Sequence, residues 1–225
     1  MPTHQSLGGT SDEQLLQRMI STHPDRYGPP FWEMFGKHVA PSLPPSPLMI
    51  DLGCGPGLVL RDLGERFPTA TLYGYDVTPA MIEHGRQLAC SGAKPVFALH
   101  DVSTRPLPHD AGAAHLVTMS SVLHVLDEPL PVLAEIRRVL APGGVFMLND
   151  WIRQPLADYI KYRRETLGEG EAETGRAFRL FPAHNKYTPD DWRWLLAKTG
   201  FAIRHEAQLR DFHRIFVCQP AGMPR

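Results

Sequence analysis

The spacing of apolar residues changes repeatedly along this chain, and each change of period marks an element. Leu15, Leu16, Met19 and Ile20 recur with a helical period, whereas residues 1–10 are polar, include Gly8-Gly9, and read as a mobile tail with order beginning near Thr10 or Ser11. After Gly28-Pro29-Pro30 a short helix carries Phe31, Trp32, Met34, Phe35 and Val39. The run Pro41-Ser42-Leu43-Pro44-Pro45-Ser46-Pro47 stops it and reads as a stiff linker.

From Leu48 onward the pattern alternates. Strands are predicted over 48–52, 71–75, 95–99 and 115–119, with helices over 58–66 and 79–90 between them. Val132, Leu133, Ile136, Val139 and Leu140 make the stripe of a helix lying on a sheet, Ala141-Pro142-Gly143-Gly144 ends it, and 145–148 is the next strand. This succession predicts a parallel sheet covered on both faces. The interval 152–187 shows no strand signal, contains the polar run Gly168 to Gly175, and reads as a lid or disordered insertion. Thr188, Pro189, Asp190 and Asp191 open a helix that runs to Gly200, and 201–205 with 212–218 form a closing hairpin.

Composition narrows the partners. The 225 residues carry 23 Lys plus Arg against 24 Asp plus Glu, a formal net charge of -1, which leaves no reservoir of positive charge for nucleic acid. No stretch approaches the roughly 20 apolar residues of a membrane helix and the first residues lack signal-peptide character, so a cytoplasmic protein is expected. The 3 cysteines, Cys54, Cys90 and Cys218, are far apart, which fits reduced thiols and no structural metal.

The segment Met49-Ile50-Asp51-Leu52-Gly53-Cys54-Gly55-Pro56-Gly57 is a buried strand entering a glycine loop before a helix. A dinucleotide loop places its third glycine where Leu58 stands and uses free backbone N–H groups, but Pro56 removes a donor. Asp51 puts a carboxylate ahead of the loop, which suits a cationic ligand better than two phosphates. Asp76 closes the next strand, where a carboxylate can accept two ribose hydroxyls. Asp101 follows the third strand, placed to accept from an adenine amino group while Val102 flanks the ring.

In these residues, and on through Pro142-Gly143-Gly144, the chain resembles the class I S-adenosylmethionine-dependent methyltransferases over residues 48–218. The resemblance implies a Rossmann-like, seven-stranded, mostly parallel α/β sheet with its last strand antiparallel, and the cofactor across the carboxyl ends of the first strands. It implies Asp51, Gly53 and Gly55 at the methionine end, Asp76 with Val77 at the ribose, Met81, Asp101 and Val102 at the adenine, and Ser120 beside the sulfonium, with S-adenosylhomocysteine as product. After Trp151 the chain departs from the pattern.

Methyl transfer is an in-line displacement, so alignment and water exclusion supply most of the catalysis. A base is needed only when the acceptor must lose a proton. Phe31, Met34, Phe35 and His38 share a helix face, with Glu33 about 140° from His38, so contact between the two needs an irregular backbone or a bridging water. His38 is either a core histidine bonded to a backbone carbonyl or a general base positioned by Glu33. This face also resembles bacterial indole C3-methyltransferases of pyrroloindoline (physostigmine-type) alkaloid biosynthesis, which implies C-methylation of an indole with His38 removing the N–H proton.

Substrate contacts are expected from Tyr27, Trp32, His124, Trp151, Tyr159 and Tyr162. Tyr27, His124, Tyr159 and Tyr162 have structural alternatives: Tyr27 as packing, His124 as a cap of the helix near Asp127, and the aromatics of the insertion as a satellite cluster. The expected organisation is a tail and helical lid over 1–47 and a methyltransferase domain over 48–225 with a lid insertion at 152–187, acting on a small aromatic molecule. O- or N-methylation of a polyketide, phenol or amine, and a non-catalytic S-adenosylmethionine-binding subunit, are the rival readings.

Overall fold

In the computed structural model, which describes residues 3–222, the strands are β1 (Leu48–Leu52), β2 (Thr71–Asp76), β3 (Val96–Leu99), β4 (Ala114–Ser120), β5 (Leu140–Trp151), β6 (Phe201–Arg210) and β7 (His213–Pro220). They form one sheet of order β3-β2-β1-β4-β5-β7-β6. The pairs β1–β2, β1–β4, β2–β3 and β4–β5 are parallel, and β7 runs antiparallel between β5 and β6. The expected seven-stranded α/β sheet is therefore present, its antiparallel strand inserted beside the edge rather than at it.

The helices are α1 (His4–Gly8), α2 (Asp12–Ser21), α3 (His23–Arg26), α4 (Pro29–His38), α5 (Leu58–Arg66), α6 (Pro79–Gln87), α7 (Pro129–Val139), α8 (Leu156–Glu165), α9 (Thr174–His184) and α10 (Pro189–Lys198). Side chains alternate across the pleat and feed two cores. Ile50, Val117 and Phe146 meet Val132, Leu133 and Ile136 of α7 and Trp192 of α10 on one face. Met49, Leu116 and Met147 meet Phe31, Met34 and Phe35 of α4 and Leu60 and Leu63 of α5 on the other.

Three expectations are corrected. The tail is ordered from Thr3: a reciprocal Thr3–Ser6 capping box starts α1, and Gly9 at φ +63° ends it. Its docking is polar, with Gln5 Nε2 donating to Thr78 Oγ1 at 2.9 Å and Arg179 Nη2 to the Gly8 carbonyl at 3.0 Å, so no apolar period announced it. The helix carrying Phe31 is a layer of the core and not a lid. The insertion is largely helical: Tyr159, Tyr162 and Arg163 are buried on α8, and Ala177, Leu180 and His184 on α9. Arg163 on α8 and His184 on α9 interrupt the otherwise apolar and aromatic buried faces.

β5 also begins five residues earlier than the predicted 145, running through Ala141-Pro142-Gly143-Gly144. The register shift between Ala114 and Leu116 of β4 absorbs this irregular stretch.

Candidate cofactor and acceptor site

The carboxyl ends of β1, β2 and β4 open into a cavity of about 760 Å³ roofed by α1, α2 and α9. Its floor begins at the glycine loop. The Gly53 and Cys54 N–H groups donate to the Tyr75 carbonyl at 2.7 and 3.0 Å, which folds the loop back over β2. Gly53, Gly55 and Gly57 take φ of +68°, +51° and +81°, the left-handed region that glycine tolerates. A Cβ on Gly53 would lie 2.2 Å from Val122 Cγ2, and one on Gly55 2.4 Å from Met19 Cε.

Of the three acidic residues expected at the cofactor, Asp76 lines the cavity, whereas Asp51 and Asp101 stand behind its lining. Asp51 is buried and receives the Thr118 hydroxyl at 2.6 Å; burial raises its carboxyl pKa to about 7. A buried carboxyl so destabilised in its charged form fits an ammonium partner. Asp76 accepts the Gly55 N–H and the Thr78 N–H, both at 2.9 Å, and is raised by burial against the pull of those bonds. It braces the loop and lines the cavity together with Gly53, Val77, Met81, Val102 and Ser120. Asp101 accepts the Ser103 N–H at 2.9 Å and the Ser103 hydroxyl at 2.5 Å, so it shapes the turn that presents Val102. Tyr27 brings its hydroxyl to Ser120 and Asp51, and burial raises its pKa.

The structure does not bring His38 or Glu33 here. α4 turns Phe31, Met34 and Phe35 into the core, leaving Glu33 exposed and His38 half-buried at the helix end. The His38 ring stacks on His205 of β6, centroids 3.6 Å apart and planes 4° from parallel. Trp32 likewise lies outside the cavity, under the Arg66 guanidinium at 3.6 Å.

The other end of the cavity is aromatic and cationic. Trp151 and Tyr162 line it, Trp151 stacking on His184 at 3.9 Å, while Tyr159 stands behind with its hydroxyl 2.9 Å from His184 Nδ1. His124 is buried one layer back, its Nε2 3.1 Å from His4 Nε2 and its Nδ1 2.5 Å from Asp150 Oδ1. Six arginines, Arg18, Arg26, Arg163, Arg176, Arg179 and Arg210, also line the cavity. Arg163 and Arg18 bond Glu169, the latter at 2.7 Å; burial opposes its charge, but these bonds hold the Glu169 carboxyl below its ordinary range.

Arg26 and Arg176 each keep a buried Nε without a hydrogen-bond partner among the described residues, but Arg176 lies 3.7 Å from Glu169 whereas Arg26 stands beside Arg210. Burial and then the neighbouring Arg210 lower the Arg26 pKa to about 10, and the groups that offset this are the Tyr27 and Tyr162 hydroxyls. Arg26 Nε is buried without a hydrogen-bond partner among the described residues. Arg210 donates to the Tyr162 hydroxyl at 3.2 Å. Sequence reading missed Arg26, Arg210, His4 and His213, because isolated polar residues from three separate segments carry no local signal.

Residues 50–146 match the family described as "Methyltransferase domain". A malonyl-[acyl-carrier protein] O-methyltransferase of Hahella chejuensis is 33% identical over 108 residues, 48% of this chain and 38% of that protein. A trans-aconitate 2-methyltransferase of Pseudomonas aeruginosa is 32% identical over 165 residues, 71% of this chain and 57% of that protein. The match thus spans less than two thirds of either curated relative. The plantazolicin methyltransferase BpumL, solved with a substrate analogue and S-adenosylhomocysteine, superposes with a TM-score of 0.67 over 97% of this chain and 98% of its own at 14% identity, a likeness of fold. The likeness to methyltransferase domains therefore lies at the centre of this chain, over residues 50–146.

Proposed function

We propose that this protein transfers a methyl group to a small molecule bearing a carboxylate, which Arg26 and Arg210 bind. The observation that carries this reading is Arg26, a guanidinium with a buried, unpartnered Nε beside a second arginine at the aromatic end of the cavity. A planar guanidinium left in this state matches a carboxylate in charge and in fork geometry. The two curated relatives named above carry malonyl and trans-aconitate in their names, and both acceptors bear carboxyl groups.

When bound, S-adenosylmethionine supplies a methyl on a sulfonium, a leaving group that needs no acid. Gly53 and Asp76, which line the cavity, would hold the donor's amino-acid and ribose parts, with Asp76 bracing Gly55 and Asp51 buried behind the loop. Ser120 lines the cavity, and the Tyr27 hydroxyl bonds it from behind. Residues of α1 and α2 cover part of the cavity and would limit the access of water to the reacting groups. A carboxylate oxygen is already a nucleophile, so ester formation asks no base of the protein.

An indole methylated at C3 must lose its N–H proton, and no cavity-lining role falls to His38 or Glu33. The test is a labelled-methyl assay on a panel of small carboxylic acids, their amides and 3-substituted indoles. Acids should be preferred over amides, and Arg26→Gln should raise KM for the acids at least tenfold while leaving S-adenosylhomocysteine affinity unchanged. Turnover of an indole with an indifferent Arg26→Gln would point back to a neutral aromatic acceptor.

A further inference from the structure

We propose that His4, His124 and His184 form a site for one divalent transition-metal ion in the wall of the cavity. One ligand nitrogen from each ring lies within 4.8 Å of the other two. His124 and His4 face each other Nε2 to Nε2 at 3.1 Å, close to the separation of two nitrogens that share one ion at about 2.0–2.1 Å. His184 Nε2 is buried and has no hydrogen-bond partner among the described residues, while its other nitrogen is taken by the Tyr159 hydroxyl at 2.9 Å. A buried, unpaired imidazole nitrogen beside two others is costly unless something fills the space between them.

The outer partners fit as well. His124 Nδ1 meets the Asp150 carboxylate at 2.5 Å, the carboxylate–histidine arrangement that fixes a ligand's tautomer and directs its Nε2 outward. Asp150 is itself fully buried and further held by the Leu123, His124 and Trp151 N–H groups, so the first ligand is rigid.

Three imidazoles without a thiolate or an oxygen cage select Zn²⁺, Co²⁺ or Ni²⁺ over Mg²⁺ or Ca²⁺. His4 and His184 line the cavity, so a fourth coordination position opens toward the acceptor. An anionic oxygen there would complete the ion and offset the surrounding guanidiniums. The ion would also tie α1 to α9 and to the turn after β4, closing the roof over the sheet ends. This site stands apart from the carboxylate reading, because metal uptake is measured without any acceptor.

The experiment uses untagged protein stripped with a chelator and titrated with Co²⁺, read by the visible bands of the four-coordinate ion, then with Zn²⁺ as competitor. One equivalent should bind, Zn²⁺ should displace it, and Zn²⁺ should raise the thermal midpoint. His4→Gln and His184→Ala should each lose at least 100-fold in affinity, and Asp150→Asn about 10- to 100-fold. Retained S-adenosylhomocysteine binding certifies that each variant is folded, and His4→Gln, on a peripheral turn of helix, decides the matter if the others do not fold. Absence of stoichiometric Co²⁺ in the wild type, or equal affinity in His4→Gln, overturns the proposal.

Discussion

Asp150, at the end of β5, holds His124 by side chain and backbone together: Oδ1 meets the imidazole Nδ1 at 2.5 Å and Oδ2 accepts the His124 N–H at 3.3 Å. Oδ2 also accepts the Leu123 N–H at 3.0 Å and Oδ1 the Trp151 N–H at 2.7 Å, so one carboxylate joins the turn after β4 to the exit of β5. Truncating it strands several buried donors at once. Asp150→Ala should lower stability by about 3–5 kcal/mol in urea unfolding, the range for breaking a buried polar pair from one side. A loss within experimental error would mean that the turn is held by packing alone.

Gly53 and Gly55 should respond differently to substitution although both have positive φ. The Gly53→Ala methyl meets Val122 Cγ2, a branched side chain, at 2.2 Å, whereas that of Gly55→Ala meets the flexible end of Met19 at 2.4 Å. Calorimetry with S-adenosylhomocysteine should show Gly53→Ala losing the larger share of affinity. Adding Met19→Ala should recover part of the loss in Gly55→Ala, leaving roughly the 1 kcal/mol conformational cost of a left-handed residue.

The Asp51 carboxyl gives binding a pH dependence of definite sign. Its pKa is raised from an ordinary 3.8 to about 7, so the folded protein holds this proton where the unfolded chain has lost it, and the associated stability falls as pH rises across that window. An incoming ammonium favours the ionised carboxylate. Cofactor affinity should therefore increase as pH rises toward about 7 and flatten beyond it, with proton release on binding below that pH. Asp51→Asn should remove both the slope and the buffer-dependent heat.

His38→Ala separates the two views of the N-terminal helix. With its ring stacked on His205 at the far side of the sheet, the substitution should leave kcat within about twofold. A loss of roughly 10²-fold at unchanged cofactor affinity would restore His38 as a base.

The sheet and the cofactor loop were legible in the sequence because each is encoded locally. A strand's apolar run, the glycines at positive φ after it and the acidic residue closing the next strand lie within short windows, and parallel strands joined by helices admit few topologies. At the other end of the cavity the sequence pointed to the aromatic residues Trp151 and Tyr162 but not to the charged and imidazole groups beside them. Arg26, Arg210, His4 and His184 come from α3, β6, α1 and α9, and only the packing of those elements gathers them around one cavity. His38 shows the converse: a histidine among apolar residues at helical spacing is compatible with a site or with a core boundary, and the direction in which α4 docks decides. Local chemistry therefore determined the fold and the shape of the glycine loop, while the surroundings of the cavity's other end depended on long-range contacts that the order of residues does not display.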